Sequence, residues 1–146
     1  MSLLRAVSSP SNRKRPGGLG VLLLAVTCAT GAAQDAPQAQ SEFKRLLDAG
    51  DYPAAVEQAR RVVDLSGPAS TASSEELQVA LMNLALAQNR AGDHLAAESN
   101  YLRVIDTIEA SGRRSSPRLA RAYAGLAATY YAARRYDLAA ASYRRL

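Results

Sequence analysis

Apolar residues in most of the chain recur every three or four positions, which is the spacing of one face of an α-helix. Alternating β-branched residues and Asn-Gly turns are nearly absent, so the sequence predicts no strands. The fold class is therefore all-α. The pattern predicts six helices in three pairs, over residues 41–49 and 52–65, 74–91 and 94–110, and 117–133 and 136–146.

Residues suited to begin a helix stand directly before several of these segments. Ser73 is followed by Glu76 at the spacing of a capping box, in which each residue bonds the other's backbone N–H. Ser116 is followed by Pro117, a proline suited to the first helical position. Asp51 and Asp93 are predicted to cap the second helix of the first and second pairs.

The same pattern returns at a constant interval along the chain, since Gly50-Asp51-Tyr52 recurs as Gly92-Asp93-His94 and as Arg134-Arg135-Tyr136. Such a period predicts a superhelix of stacked antiparallel helix pairs. Because Arg134 replaces the turn glycine, the third turn is expected to avoid a left-handed backbone conformation. Small residues recur in step, and a larger side chain there would push the helices apart: Ala55, Ala97 and Ala139 on second helices, Ala85 and Ala127 on first helices.

These residues resemble the tetratricopeptide repeat. The second unit matches its pattern at Leu81, Leu84, Ala85, Gly92, His94, Ala97, Tyr101 and Val104, and the third at Tyr123, Leu126, Ala127, Tyr130, Tyr136, Ala139 and Tyr143. The 42-residue period is similar to the kinesin-light-chain type, whose repeats open on a motif like the one from Pro117 to Ala120. The resemblance implies about three units, over 41–68, 74–112 and 116–146, with the last one truncated and the array continuing in a longer protein.

The resemblance also implies a concave groove, lined by first helices, that binds an extended peptide or a partner helix. Asn83 is the foremost candidate, because its family counterpart hydrogen-bonds a ligand's main chain and an amide both donates and accepts; a merely solvated polar residue is the alternative. Its counterpart in the third unit is Gly125, which argues against a continuous row of amides. The inward positions carried over are Val79, Met82, Asn83, Leu86, Asn89 and Arg90 in the second unit, and Arg121, Ala124, Ala128 and Tyr131 in the third.

The N-terminal segment, residues 1–33, has the order of an export signal. Charge there is only positive and is concentrated at Arg13, Lys14 and Arg15, before a mostly apolar run over 19–29 and small residues over 30–33. This order predicts cleavage after Ala33; an uncleaved membrane anchor, a lipid on Cys28 and a disordered basic leader are the alternatives. Residues 34–40 are predicted to form a disordered leader. Export, many Ala and Arg residues and few Lys residues favour a bacterial, periplasmic protein.

Composition leaves little room for catalysis. One Cys and one His exclude an intramolecular disulfide, a Cys-cluster zinc site and a multi-His metal centre. No glycine-rich phosphate loop lies outside residues 1–33. His94 is interpreted as a partly buried packing residue. We therefore expect no enzymatic activity, no metal and no cofactor.

Charge is segregated along the chain. Residues 34–109 carry six basic and 12 acidic side chains, whereas residues 110–146 carry eight Arg and the single acid Asp137. The basic end either favours an acidic partner or is neutralised by acids further along the protein. Nucleic-acid binding is disfavoured, because most of the net charge of +5 resides in residues 1–33 and no nucleic-acid-binding module is present.

The sequence thus favours an exported, non-catalytic scaffold that binds a peptide or a partner protein. One alternative is the N-terminal regulatory region of a longer exported enzyme or envelope transducer, whose activity lies beyond residue 146. Another is self-association through an uncapped C-terminal end. That end is expected to leave four side chains partly uncovered: Leu126, Tyr130, Ala139 and Tyr143.

Overall fold

The computed structural model describes the backbone of residues 29–67, 73–113 and 115–146, and within these ranges the side chains from residue 37 onward. These residues form six α-helices and no strand. For the last five helices the predicted bounds agree with the structure to within three residues. The helices are α1 (Ala29–Ala49), α2 (Tyr52–Leu65), α3 (Ser74–Arg90), α4 (His94–Ala110), α5 (Pro117–Ala132) and α6 (Tyr136–Tyr143).

Each helix packs against the next along the chain, and α3 also contacts α5 directly. The second helices of the three pairs begin at Tyr52, His94 and Tyr136, which are equally spaced in the sequence. The predicted repeat of helix pairs is therefore confirmed.

The predicted helix caps are present. Ser73 Oγ accepts from the backbone N–H of Glu76, and the Glu76 carboxylate accepts from the backbone N–H of Ser73 at 2.5 Å. Ser116 Oγ accepts from the backbone N–H of Arg118. Asp51 and Asp93 accept from the backbone N–H groups of Ala54 and Ala96. Each of these bonds satisfies a donor that a helix N-terminus otherwise leaves without an intrahelical partner.

Small side chains hold the helices close together, as predicted. Ala55, Ala85, Ala97 and Ala127 are completely buried, and Ala139 is 3% exposed. Larger apolar residues fill the space between the second and third pairs, where the main core cluster includes Leu81, Tyr101, Val104, Ile105, Ile108, Leu119 and Leu126.

The turn within each pair passes through a left-handed residue. Gly50 and Gly92 have φ values of 76° and 87°, and Arg134 has a φ of 60°. The expectation that Arg134 avoids this conformation was wrong. The same hydrogen bonds form in all three turns: Arg134 N–H donates to Tyr131 O and Arg135 N–H to Tyr130 O, as the equivalent residues do at Gly50 and Gly92. These bonds close the first helix and require the left-handed conformation whatever the side chain.

The first helix extends further toward the N-terminus than predicted. Residues 34–40 are helical, so the expectation of a disordered leader was wrong. Ala39 is 4% exposed and clusters with Val62 and Ala80, which gives this polar segment an apolar anchor. Pro37 lies inside the helix, and its carbonyl accepts a bond from Ser41 Oγ at 2.8 Å.

Most of the predicted export signal, residues 1–28, lies outside the described residues. The predicted cleavage after Ala33 falls inside α1 and stays a prediction. Among the described helices, none is both long enough and apolar enough to cross a membrane.

The C-terminal pair is better covered than expected. Leu126, Tyr130 and Ala139 are only 3%, 7% and 3% exposed, so the expectation that they are partly uncovered was wrong: these residues join the core shared by α4, α5 and α6. The prediction for Tyr143 is confirmed, since this side chain is 50% exposed.

Candidate functional site

The first helices of the second and third pairs lie on the same side of the array, because α3 and α5 contact each other directly although α4 lies between them in sequence. Where alternate helices approach one another, a stack of helix pairs curves inward. The surface of α3 and α5 on this side is called the inner surface below.

Five of the six principal predicted binding residues reach the protein surface. Asn83 and Leu86 are half-buried on α3, and Arg90 is exposed at the end of that helix. Arg121 is exposed near the start of α5, and Tyr131, near its end, is 64% exposed. The surfaces of α3 and α5 thus present an amide, an apolar side chain, two guanidinium groups and a phenol ring.

Met82 does not belong with them. This side chain is 6% exposed and lies in the core cluster with Leu81, Ala85 and Tyr101. Because α3 packs against α2, α4 and α5, a wider arc of its circumference is buried than the repeat pattern alone indicates. The expectation that Met82 faces a ligand is corrected accordingly.

Asn89 binds within the protein. Its Oδ1 lies 2.9 Å from Nδ1 of His94, which joins the end of α3 to the start of α4. His94 is half-buried, as predicted for a packing residue. At the equivalent place in the third unit, the rings of Tyr131 and Tyr136 meet edge to face with centroids 5.5 Å apart. Tyr131 is thus both exposed and supported from one side.

Gly125 interrupts the row of inner-surface side chains for a steric reason. A Cβ at this position would overlap Cζ, Cε1 and the hydroxyl of Tyr101, which reaches across from α4. Burial of the Tyr101 ring also raises the pKa of its phenol from 10.0 to about 12. One repeat earlier, the equivalent positions hold Ala59 on the second helix and Asn83 on the first. In the sequence, the large residue Tyr101 thus goes with glycine on the next first helix, and the small residue Ala59 goes with Asn83.

A carboxylate on α4 ties the third pair to the second. Glu98 Oε1 accepts from the hydroxyl of Tyr130 at 2.8 Å, and Glu98 Oε2 accepts from Arg135 Nη1 at 2.6 Å. The guanidinium of Arg135 also lies 4.9 Å from the ring centroid of Tyr130, in cation–π geometry. Burial and the Glu98 bond raise the pKa of Tyr130 to about 12.

The other end of α4 has an arrangement of the same kind. Glu109 Oε1 accepts from the hydroxyl of Tyr123 at 2.8 Å and from Arg145 Nη2 at 3.2 Å. Arg145 lies 5.6 Å from the ring centroid of Tyr123. The networks around Glu98 and Glu109 join helices through residues far apart in sequence, so no local sequence motif predicts them.

Glu75 on α3 binds two arginines, Arg113 in the loop after α4 at 2.5 Å and Arg118 on α5 at 3.0 Å. The bonds from Arg118 and Arg113 lower the pKa of Glu75 below its usual 4.5. With Arg135 and Arg145, four of the eight arginines in residues 110–146 thus pair with carboxylates of the preceding unit. Part of the segregated charge therefore forms ion pairs that join consecutive units.

In the described part of the chain, no group of three or more His, Cys, Asp or Glu side chains is arranged to hold a metal ion. The exposed polar groups of the inner surface are suited to hydrogen bonds and ion pairs with another molecule.

Comparison with known families agrees with this architecture. Residues 76–146 match the family model described as tetratricopeptide repeat. The match covers α3 to α6 apart from the first two residues of α3, and all six helices form an all-α solenoid consistent with this repeat. Tetratricopeptide repeats typically act as protein–protein interaction modules. No curated protein and no solved structure matches the chain.

Proposed function

We propose that this protein is an exported, non-catalytic scaffold that binds a peptide or a segment of a partner protein on its inner surface. The observation that carries the proposal is the direct contact of α3 with α5. Asn83, Leu86 and Arg90 on α3 and Arg121 and Tyr131 on α5 all reach the surface, which supports a binding role for these two helices.

The proposed roles follow from the chemistry of these side chains. Asn83 is half-buried and presents one acceptor and two donors, which suits the main chain of an extended peptide. Arg90 and Arg121 are exposed cations that favour a ligand carrying carboxylates. Tyr131 offers a ring held from one side by Tyr136, so little conformational entropy is lost when a ligand covers it.

The binding proposal is tested by capturing partners from a periplasmic extract with the full chain as bait. Asn83→Ala and Arg121→Ala are compared with the wild type and with Arg103→Ala, which removes an exposed arginine from the second helix α4. A protein recovered by the wild type and by Arg103→Ala should be lost from both inner-surface variants. For that purified partner, each loss should correspond to an affinity about tenfold lower or more. Equal recovery of the partner by all four baits would show that the inner surface does not bind it.

Export needs a separate test. Expression of the full chain in a Gram-negative host, followed by fractionation and mass spectrometry, should find a periplasmic protein that begins at Gln34. Deletion of residues 2–33 should leave the protein in the cytoplasm. A cytoplasmic full-length chain with its original N-terminus would contradict the export proposal and leave the binding proposal standing.

A further inference from the structure

Tyr101 is a buried tyrosine whose hydroxyl has no hydrogen-bond partner among the described residues. Only 4% of this residue is exposed. In the buried and half-buried residues of the described ranges, every side-chain oxygen or nitrogen that is shielded from solvent has a partner. The Tyr101 hydroxyl makes none of the hydrogen bonds found there. Its oxygen therefore lies in the small part of the residue that solvent reaches.

The hydroxyl reaches the inner surface through the gap at Gly125. A Cβ on this glycine would lie 2.6 Å from the hydroxyl oxygen. Gly125 is half-buried on α5, at the inner-surface position that Asn83 holds one repeat earlier. The neighbouring inner positions of α5 are Ala124 and Ala128, whose methyl groups leave the gap open. Asn83 stays half-buried although α5 packs against its helix, so a unit packed on α5 in the same way would leave this position accessible.

A second phenol at a unit boundary shows what the Tyr101 hydroxyl lacks. The hydroxyl of Tyr130 donates to Glu98 at 2.8 Å, and the same carboxylate accepts from Arg135. The network around Glu109 has the same composition, one phenol and one guanidinium on one carboxylate. Two tyrosine hydroxyls at the boundary between the second and third units are thus satisfied by a carboxylate that an arginine also binds.

Arg90 supplies the guanidinium for such a group at Tyr101. Burial raises the pKa of the Tyr101 phenol, and the positive charge of Arg90 opposes this rise, so the two groups interact. Arg90 is exposed and, within the described ranges, forms no ion pair. Arg121 is a further exposed cation, one helical turn before Gly125 on α5. A phenol and a guanidinium are therefore present at the inner surface without the carboxylate that accompanies them elsewhere.

We propose that Tyr101 is a ligand-binding residue, and that its hydroxyl and the Arg90 guanidinium bind a carboxylate of the peptide ligand at the gap beside Gly125. The hydroxyl donates one hydrogen bond, and the guanidinium adds charge-assisted ones. An acidic side chain and a peptide C-terminus supply the same chemistry. The inference rests on the proposed function, since it names the group that the inner surface recognises.

The probe is a library of random dodecapeptides with free C-termini, displayed on phage and selected on the full chain. Each recovered sequence is synthesised as the free acid, as the C-terminal amide, and with Asp and Glu changed to Asn and Gln. Fluorescence anisotropy of the labelled peptides measures their affinities. One of the two changes should weaken binding about tenfold or more, which assigns the carboxylate to the C-terminus or to a side chain.

Protein variants locate the contact. Tyr101→Phe keeps the ring and should weaken binding of the acidic peptide about tenfold, but should not weaken binding of the carboxylate-free form further. Tyr130→Phe is the matched control, because Glu98 accepts that hydroxyl within the protein, and it should leave the affinity unchanged. Arg90→Gln should weaken binding about tenfold, whereas Arg103→Gln, an exposed change on α4, should not alter it. Circular dichroism checks that each variant keeps the wild-type helix content.

The outcomes separate this inference from the proposed function. Peptides that bind wild type and Tyr101→Phe equally, but lose affinity for Asn83→Ala, would overturn the inference and leave the proposed function standing. Binding that needs no carboxylate, or an equal effect of Tyr101→Phe on the acidic and carboxylate-free peptides, would overturn it as well. If the wild type selects no peptide, both fail.

Discussion

The ring of Tyr101 on α4 occupies the space that any side chain at Gly125 on α5 would need. This pair joins the second helix of one unit to the first helix of the next. In the preceding unit the sizes are exchanged, with Ala59 on the second helix and Asn83 on the first. The ring of Tyr101 thus requires the absence of a side chain at position 125 and explains why the inner surface lacks one there.

The left-handed Arg134 is a local weakness that one substitution should remove. A non-glycine residue in this conformation destabilises the folded state by about 1–2 kcal/mol. Replacing it with glycine removes this strain, but the greater conformational freedom of glycine in the unfolded chain offsets part of the stabilisation. Arg134→Gly is therefore expected to raise the free energy of unfolding by about 0.5–1 kcal/mol, measured by urea denaturation.

Two controls test the explanation for Arg134. Gly92→Ala, at the equivalent turn with a φ of 87°, should be destabilising. Arg144→Gly, where the arginine has a φ of −69°, should give no stabilisation. A stabilising Arg144→Gly would assign the gain at Arg134 to loss of positive charge.

Two buried phenols predict a loss of stability at high pH. Burial raises the pKa values of Tyr101 and Tyr130 from 10.0 to about 12. Since the folded pKa is the higher one, this contribution is complete below pH 10 and is lost as the pH rises toward 12. The urea midpoint should fall across this interval, and the fall should be smaller in Tyr101→Phe. Titration of tyrosinate absorbance should show two late-ionising groups; ionisation of all tyrosines together near pH 10 in the folded protein would refute this.

The carboxylate of Glu98 is expected to contribute measurably to stability. Its side chain is 19% exposed and accepts from both Tyr130 and Arg135. Glu98→Ala leaves the Tyr130 hydroxyl without this acceptor and should lower the free energy of unfolding by about 1–3 kcal/mol. Glu57→Ala is the control, because Glu57 is 71% exposed and 3.6 Å from Arg60; its effect should stay within about 0.5 kcal/mol. Similar effects of both substitutions would argue against the Glu98 network.

The Glu75 pair predicts a pH dependence in acid. Arg118 and Arg113 lower the pKa of Glu75, so its contribution is present above pH 4.5 and is lost as the pH falls through the lower, folded-state value. Glu75→Gln should reduce the melting temperature by a few degrees at neutral pH, and the difference from the wild type should shrink below pH 4.5. Asp106 is exposed on α4, so Asp106→Asn should leave the melting temperature unchanged both at neutral pH and below pH 4.5. A Glu75→Gln difference that persists unchanged in acid would exclude the ion pairs as its cause.

Much of the fold follows from local signals. Ser73 and Glu76 mark the start of α3, and the recurring alanines mark the crossings, because caps and small residues act over one or two turns. The left-handed Arg134 could not be predicted in this way, since the hydrogen bonds of the turn outweigh the preference of the residue. The burial of Ala39 could not be predicted from local sequence, because its contacts are with Val62 and Ala80 of later helices.

The candidate site was predicted less completely for the same reason. The positions of Asn83, Arg121 and Tyr131 follow from the repeat pattern, because each depends on helix phase alone. The burial of Met82 depends on the third neighbour of α3, and the role of Gly125 depends on a ring from α4. Neither neighbour is visible in the local sequence.

The account depends on consecutive units nesting through complementary side chains, and a double-mutant cycle on Tyr101 and Gly125 measures this directly. Gly125→Ala alone should lower the free energy of unfolding by about 1–3 kcal/mol through overpacking, although alanine favours a helix over glycine by about 0.5–1 kcal/mol. In a Tyr101→Leu background, which removes the overlapping ring atoms, the same change should be neutral or stabilising, giving a coupling energy above about 1 kcal/mol. Equal effects of Gly125→Ala in both backgrounds would contradict the nesting of the units.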